Sequence, residues 1–353
     1  MLDLLCVASP FLSSTGKTKV LCESIWQLLQ QSPSNRILAV APSNAAADLF
    51  VERLKNMDRS QMFRLNAVSR QPSGVSDTVR RFSRLNDDGF QLLRRDELRA
   101  FRVVVSTAVS GSCLSGLGLL PGDFTHVVVD EAGHATEPEA AATLGGLIDH
   151  ERTRIVLGGD PQQLGPIIRN AHAIKFGLGV SLLERLIREA DTHPNSPYRR
   201  VATAGANGSA ADSAPYNPRF MVKLLHNYRS HPSILAVPNK LFYNNELLVA
   251  AEVAKRQSLC TWPGWPNGNR DCPLLLHHVS GVEQREADSR GSTSARRRWS
   301  FNTSSSCWSI PPSACRWPTS ASSPRTIGRR RSCAPWPARA RRPARTSGAT
   351  RLR

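Results

Sequence analysis

Four short apolar runs, RILAVAPS (36–43), FRVVVSTA (101–108), FTHVVVDEA (124–132) and RIVLGGD (154–160), constrain the fold more than any other feature of the chain. Each is continuously apolar instead of alternating, the pattern of a strand covered on both faces, and each ends in small or polar residues. Between and around them, KTKVLCESIWQLLQQ, NAAADLFVERLKN and SLLERLIREA repeat apolar residues three and four apart, as amphipathic helices do. The alternation predicts an α/β fold through residues 1–190: a parallel sheet with helices on both faces. In such sheets ligands gather at the carboxyl ends of the strands. The opening MLDLLCVA lacks a basic flank and is too short to span a bilayer, so it reads as a further buried strand. No later run is long enough to cross a membrane.

Residues 191–219, rich in Pro, Gly, Ala, Ser and Asn, read as a flexible linker. A second αβ segment, 220–289, runs from RFMVKLLHNYRSHPSILAVPNKLF to the strand-like PLLLHHV, and the periodic pattern stops after Ser289. The whole chain has 46 basic and 28 acidic residues, a net charge of +18 that suggests a polyanionic partner. Residues 290–353 hold fifteen Arg, no Lys and no acid, which leaves 31 basic against 28 acidic residues in the body. Nearly all the excess therefore belongs to the tail. Its Arg, Ala, Pro, Gly, Trp and Cys are what GC-rich codons produce in an arbitrary frame, so the tail reads as a frame-shifted or aberrant segment; the alternative is a disordered RNA-binding arm. Eight cysteines without a C-x-x-C pair or zinc spacing fit reduced thiols in a cytosolic protein.

The chemistry-bearing residues fall at the expected strand ends. In FLSSTGKTKV (11–20), Gly16, Lys17 and Thr18 complete the G-K-T of a phosphate-cradling loop, but Phe11 stands where the pattern asks for its first glycine. In VVVDEAGH, Asp130 and Glu131 emerge from a buried strand; one acid there can orient Mg²⁺ and the other can polarise a water, although a plain acidic turn gives the same residues. Asp160 and Gln163 occupy the turn GGDPQQLGP, where a glutamine amide can sense a terminal phosphate. In HNYRSHP, Arg229 suits charge developing on a phosphoryl group and Tyr228 suits stacking on a base. A capped helix start beside a surface arginine would look the same.

In this order, STGKT, APSNAAADL, VVVDEAGHATEPE, GGDPQQLGP, GLGVSLLERL and NYRSHP…PNKLFY resemble the superfamily 1 RNA helicases related to the nonsense-mediated-decay helicase. CTWPGWPNG, CPLLLHHVSGVEQREADS and the DEAGH form of the acidic motif resemble the Armitage, or Moloney leukaemia virus 10-like, branch, which acts in small-RNA silencing. The resemblance runs from about Thr15 to Ser289. It implies two RecA-like domains clasping ATP and Mg²⁺, with RNA lying across both, in a cytoplasmic protein of ribonucleoprotein granules that meets small-RNA silencing proteins. Carried over by position, it implies that Gly16 and Lys17 hold the phosphates, Thr18 and Asp130 the metal, and that Glu131 acts on the water. Gln163 would sense the γ-phosphate, Tyr228 stack on adenine and Arg229 serve as an arginine finger. Ser43, Asn44, Ser106 and Thr107 match positions that grip the RNA backbone, while His134 is expected to be structural or coupling.

The chain also departs from the family. Phe11, Leu12, Ser13 and Ser14 replace Gly-Pro-Pro-Gly, whose glycines permit positive φ and a close approach to phosphate, so ATP binding is expected to be impaired. Beyond Ser289 neither the Gln-Gly-Gln-Glu nor the Thr-Arg-Ala-Lys stretch appears, so the second RecA-like domain is expected to be only begun. ATP-driven RNA unwinding or remodelling is the implied function, and a catalytically silent RNA-binding or decoy fragment is the alternative.

Overall fold

The computed structural model describes residues 4–8, 16–193, 196, 198–199, 217, 219–260 and 271–274, all within one compact unit. Residues 9–15, with Phe11 to Ser14, most of the 191–219 linker, the end of PLLLHHV and the basic tail lie outside the described residues. The chain begins β1 (Leu4–Ala8), α1 (Lys17–Gln31), β2 (Ile37–Ala41), α2 (Asn44–Arg53), β3 (Met62–Arg64) and α3 (Asp77–Arg81). A small hairpin, β4 (Leu85–Asn86) and β5 (Gly89–Phe90), precedes α4 (Arg95–Ala100), β6 (Val103–Thr107), α5 (Ala108–Gly111) and α6 (Cys113–Gly116). Then follow β7 (His126–Val129), α7 (Glu137–Leu144), β8 (Arg154–Gly159), α8 (Ala171–Lys175) and α9 (Leu182–Thr192). The last described elements are β9 (Met221–Lys223), β10 (His226–Asn227), α10 (Pro232–Phe242), β11 (Leu248–Val249) and α11 (Val253–Arg256).

Seven strands form one parallel sheet in the order β3-β6-β2-β7-β8-β1-β9. Every residue of β2 and β6 is buried, which explains their unbroken apolar runs. The period of two sorts their side chains: Leu38, Val40, Val104, Val127 and Val129 enter one core, whereas Ile37, Ala39, Val103, Val105 and Val128 enter the other. Leu21, Ile25 and Leu29 of α1 and Phe50 and Val51 of α2 close the second core. Leu144, Leu183 and Ile187 close the first. Each such buried side chain contributes about 1.5–3 kcal/mol of hydrophobic stabilisation.

The predicted α/β architecture is what the chain adopts, and α1 spans the same fifteen residues as the periodic run KTKVLCESIWQLLQQ. One strand belongs elsewhere than its sequence neighbours suggest. β9, on the far side of residues 191–219, pairs with β1 and extends the first sheet, Cys6 matching Met221 and Ala8 matching Lys223. Beyond it, β10 and β11 make a separate two-stranded ribbon, with Leu235, Tyr243 and Leu247 as a small core of their own. Among the described residues no helix is long and apolar enough to cross a membrane.

Candidate functional site

The carboxyl ends of β1, β2, β6, β7 and β8 share one edge of the sheet, and the singled-out residues stand on it. Gly16 precedes α1 with φ of 85° and ψ of 18°, a left-handed conformation that glycine adopts without strain. Lys17 opens the helix, and its side chain is carried inward: the residue is 4% exposed and Nζ has no hydrogen-bond partner among the described residues. A buried ammonium without an acceptor is costly, and here it lies at the N-terminus of a fifteen-residue helix, whose free N–H groups favour an anion. Together they make a cradle of the kind that suits an anion.

Thr18 Oγ1 donates to Asp130 Oδ2 at 2.6 Å, joining the first turn of α1 to the end of β7. Asp130 is fixed further by its own N–H, which donates to Val40 O, and by Glu131 N, which donates to Oδ1 at 2.9 Å. Burial pushes the Asp130 carboxyl above its ordinary range, against the opposing Thr18 hydrogen bond and with help from the Glu131 charge. A carboxylate whose charge is disfavoured by burial gains from a divalent cation, and Thr18 and Asp130 supply the hard oxygens that Mg²⁺ prefers.

A raised folded-state pKa stabilises the protein most below the ordinary carboxylate value, near 3.9, and that contribution is lost as pH rises through the folded value. Asp130→Asn, neutral at every pH, is therefore expected to melt higher than the parent at pH 7 without Mg²⁺. A gain of about 1 kcal/mol corresponds to roughly 2–4 °C in a domain of this size. The difference should vanish towards pH 3.5, and thermal scans across that range check it.

Glu131 turns the chain with φ of 52°, and its Oε2 lies 3.4 Å from His134 Nδ1. The turn is tight enough to need glycine across from it: a Cβ on Gly159, at the end of β8, would stand 3.0 Å from Gly133 N and 2.5 Å from Leu183 Cδ2. Asp160, the next residue, is buried and accepts from Gln163 Nε2 at 3.0 Å and from Gln162 N at 2.9 Å. Tyr243 Oη also donates to Asp160 Oδ2, at 3.2 Å. Sequence reading placed no role on Tyr243, because a tyrosine after an apolar helical run gives no sign of a partner eighty residues away.

Tyr228 and Arg229 stand beside α1, along a flank that runs from Gly16 to Gln27. With Gly16, Lys19, Glu23, Arg53 and His226 they line a cleft of about 1010 Å³. Both are exposed, and buried Asn227 orients the turn by accepting from Arg229 N at 3.0 Å and Ser230 N at 2.8 Å. The Tyr228 ring stacks on His226 at a centroid distance of 6.3 Å.

Ser43 and Thr107 stand side by side at the ends of β2 and β6, whose register pairs Ala41 with Thr107. Ser43 caps α2 by accepting from Ala46 N, and Thr107 caps α5 by accepting from Ser110 N. Asn44 Oδ1 accepts from Arg64 Nη2 at 3.0 Å. Ser106 has no exposed surface, and its hydroxyl lacks a partner among the described residues, so it lies out of direct reach of a ligand on this edge.

Two family models, both described as AAA domain, match the chain: one over residues 4–83 and 56–171, the other over 179–302. The helicase mov-10-B.1 of Danio rerio is 40% identical over 278 residues, covering 78% of this chain and 26% of the relative. RNA helicase Mov10l1 of Mus musculus is 40% identical over 279 residues, 78% of this chain and 22% of that one. The RNA helicase armi of Drosophila melanogaster is 32% identical over 265 residues, covering 69% of this chain and 21% of its own. The chain belongs to the MOV-10 and Armitage helicase family. It spans about a quarter of the length of the curated relatives it matches. Membership in a helicase family agrees with the RecA-like reading of the parallel sheet and with a nucleotide as the ligand of the α1 cradle.

Proposed function

We propose that the chain carries the ATP-hydrolysing and RNA-gripping core of an RNA helicase in which a first RecA-like domain, built on the seven-stranded sheet, meets the beginning of a second. The observation that carries the reading is the buried Lys17 ammonium, without a hydrogen-bond partner among the described residues, beside the Thr18–Asp130 hydrogen bond. Lys17 and the α1 N-terminus bind the β- and γ-phosphates, while Thr18 and Asp130 hold Mg²⁺. The metal, when bound, neutralises charge on the phosphate oxygens.

Glu131 orients a water and takes its proton as the water oxygen bonds to the γ-phosphorus; the bond to the bridging oxygen breaks, leaving ADP and phosphate. Gln163 reads the γ-phosphate, Arg229 stabilises the charge that develops on it, and Tyr228 stacks on adenine. Ser43, Asn44 and Thr107 grip the RNA backbone from helix starts, a mode that ignores sequence, and Ser106 packs beneath them. The resemblance of the motifs to the Armitage branch supports a role in small-RNA silencing in the cytoplasm.

Phe11, Leu12, Ser13 and Ser14 weaken ATP binding, so turnover is slow and is to be measured at millimolar ATP. Glu131→Gln is expected to lower RNA-stimulated phosphate release by about 10²- to 10⁴-fold, the worth of a general base, while nucleotide affinity is retained. Residual turnover indifferent to this substitution would overturn the reading.

A further inference from the structure

Asp160 and Tyr243 meet where no motif predicts a joint. Tyr243 directly follows α10 and is one of three buried side chains, with Leu235 and Leu247, in the small core of the 232–249 segment. Asn239 binds this segment into one piece: Nδ2 donates to Leu247 O at 3.1 Å, and Leu247 N donates to Oδ1 at 3.0 Å. The segment is therefore held together from within, and Arg229 lies three residues before Pro232, the first residue of α10. Tyr243 points its hydroxyl out of that core and onto the carboxylate of Asp160, which is only 3% exposed. The same carboxylate oxygen, Oδ2, accepts the side-chain amide of Gln163.

One buried acceptor thus serves a glutamine in the first sheet's β8 turn and a tyrosine in the segment beyond β9. A surface ion pair, Lys223 Nζ to Glu246 Oε2 at 2.9 Å, ties the same two regions. Only half-buried, that pair is still open to water and can break and re-form at less cost than a bond between enclosed groups. The buried Tyr243 bond cannot be exchanged for one to bulk water without cost, so the two partners shift together or separate outright.

We propose that Tyr243 is a positioning residue whose hydroxyl on Asp160 couples the Gln163 turn to α10, and so passes the presence of a nucleotide γ-phosphate to the segment led by Arg229. The proposal rests on the nucleotide reading above. When Gln163 turns towards a phosphate it changes its hold on Asp160, and Tyr243 carries the change to α10. By reciprocity, anything that draws α10 away alters the Gln163 amide.

Hydrogen exchange on the full chain tests this, with and without millimolar β,γ-imido-ATP and Mg²⁺. In the parent, the analogue is expected to slow exchange at least threefold in both residues 160–165 and 232–243. Tyr243→Phe keeps the ring and the packing; it should retain the response at 160–165 and lose it at 232–243. A bond that merely stabilises would lower protection of 232–243 in the absence of nucleotide yet leave the nucleotide-induced change intact, and that result overturns the proposal. If Tyr243→Phe unfolds the segment, Asp160→Leu, similar in size but without an acceptor, decides: with the response at 160–165 retained, an undiminished response at 232–243 overturns the coupling and a weakened one supports it. Absence of any response in the parent overturns the nucleotide reading itself, and the coupling with it.

Discussion

Replacing Phe11, Leu12, Ser13 and Ser14 by Gly-Pro-Pro-Gly is expected to tighten ATP binding by at least tenfold, measured by titration of a fluorescent ATP analogue in the presence of Mg²⁺. The expectation follows from what already stands beyond the loop. Gly16 has a left-handed conformation, Lys17 is buried without a hydrogen-bond partner among the described residues, and Thr18 is held on Asp130. The charges and the helix N-terminus are thus in place before any nucleotide arrives. A glycine-rich loop adds backbone N–H groups directed at phosphate and carries no side chain that could crowd it. Each charge-assisted hydrogen bond of this kind is worth roughly 1.5–3 kcal/mol, so one alone exceeds the 1.4 kcal/mol of a tenfold change. Adding Lys17→Ala to the repaired loop should abolish the gain. A repaired loop that binds no better would mean that the α1 cradle is not the phosphate site.

The features that could be read from the sequence are those written in one stretch of it. The continuous burial of Val103–Thr107 shows as an unbroken apolar run, and the α1 face shows as apolar residues at helical spacing. Asp130, Glu131 and Gln163 could be singled out because strand ends bring ligands together in any parallel sheet. What could not be read depends on residues far apart in the chain. β9 is three residues long, and its pairing with β1 is what gives it a place in the first sheet. Ser106 looked available after a strand, yet it is the next-to-last residue of a strand buried along its whole length. Tyr243 and Arg64 gave no local sign, since each is defined by a partner in another element.

Arg64 carries the largest expected loss of stability, reached through its partner. It ends β3 with 0% exposure, the largest fully buried side chain in the described structure. Nε donates to Asp48 Oδ1 at 3.0 Å, Nη2 to Asn44 Oδ1 at 3.0 Å and Nη1 to Leu65 O. Burial lowers its pKa to about 10, with Asp48 working in the opposite direction, so the guanidinium is still charged at neutral pH. Burial would raise the Asp48 carboxyl, but the Arg70 hydrogen bond and the Arg64 charge outweigh it and hold the carboxyl below its ordinary range. Asp48→Ala leaves that enclosed charge without its carboxylate, and breaking a buried pair from one side costs about 3–5 kcal/mol. Urea unfolding should show the loss at pH 7. Because the Asp48 pKa is depressed, its contribution is present above the ordinary carboxylate value and fades as pH falls through the folded one, so mutant and parent should converge in acid. Arg64→Met added to Asp48→Ala removes the stranded charge and should recover part of the stability; equal loss in single and double mutants would refute an electrostatic origin. Arg64 also donates to Asn44 Oδ1 at the start of α2. If Asn44 grips RNA as proposed, the double mutant is expected to lose RNA affinity while stability returns.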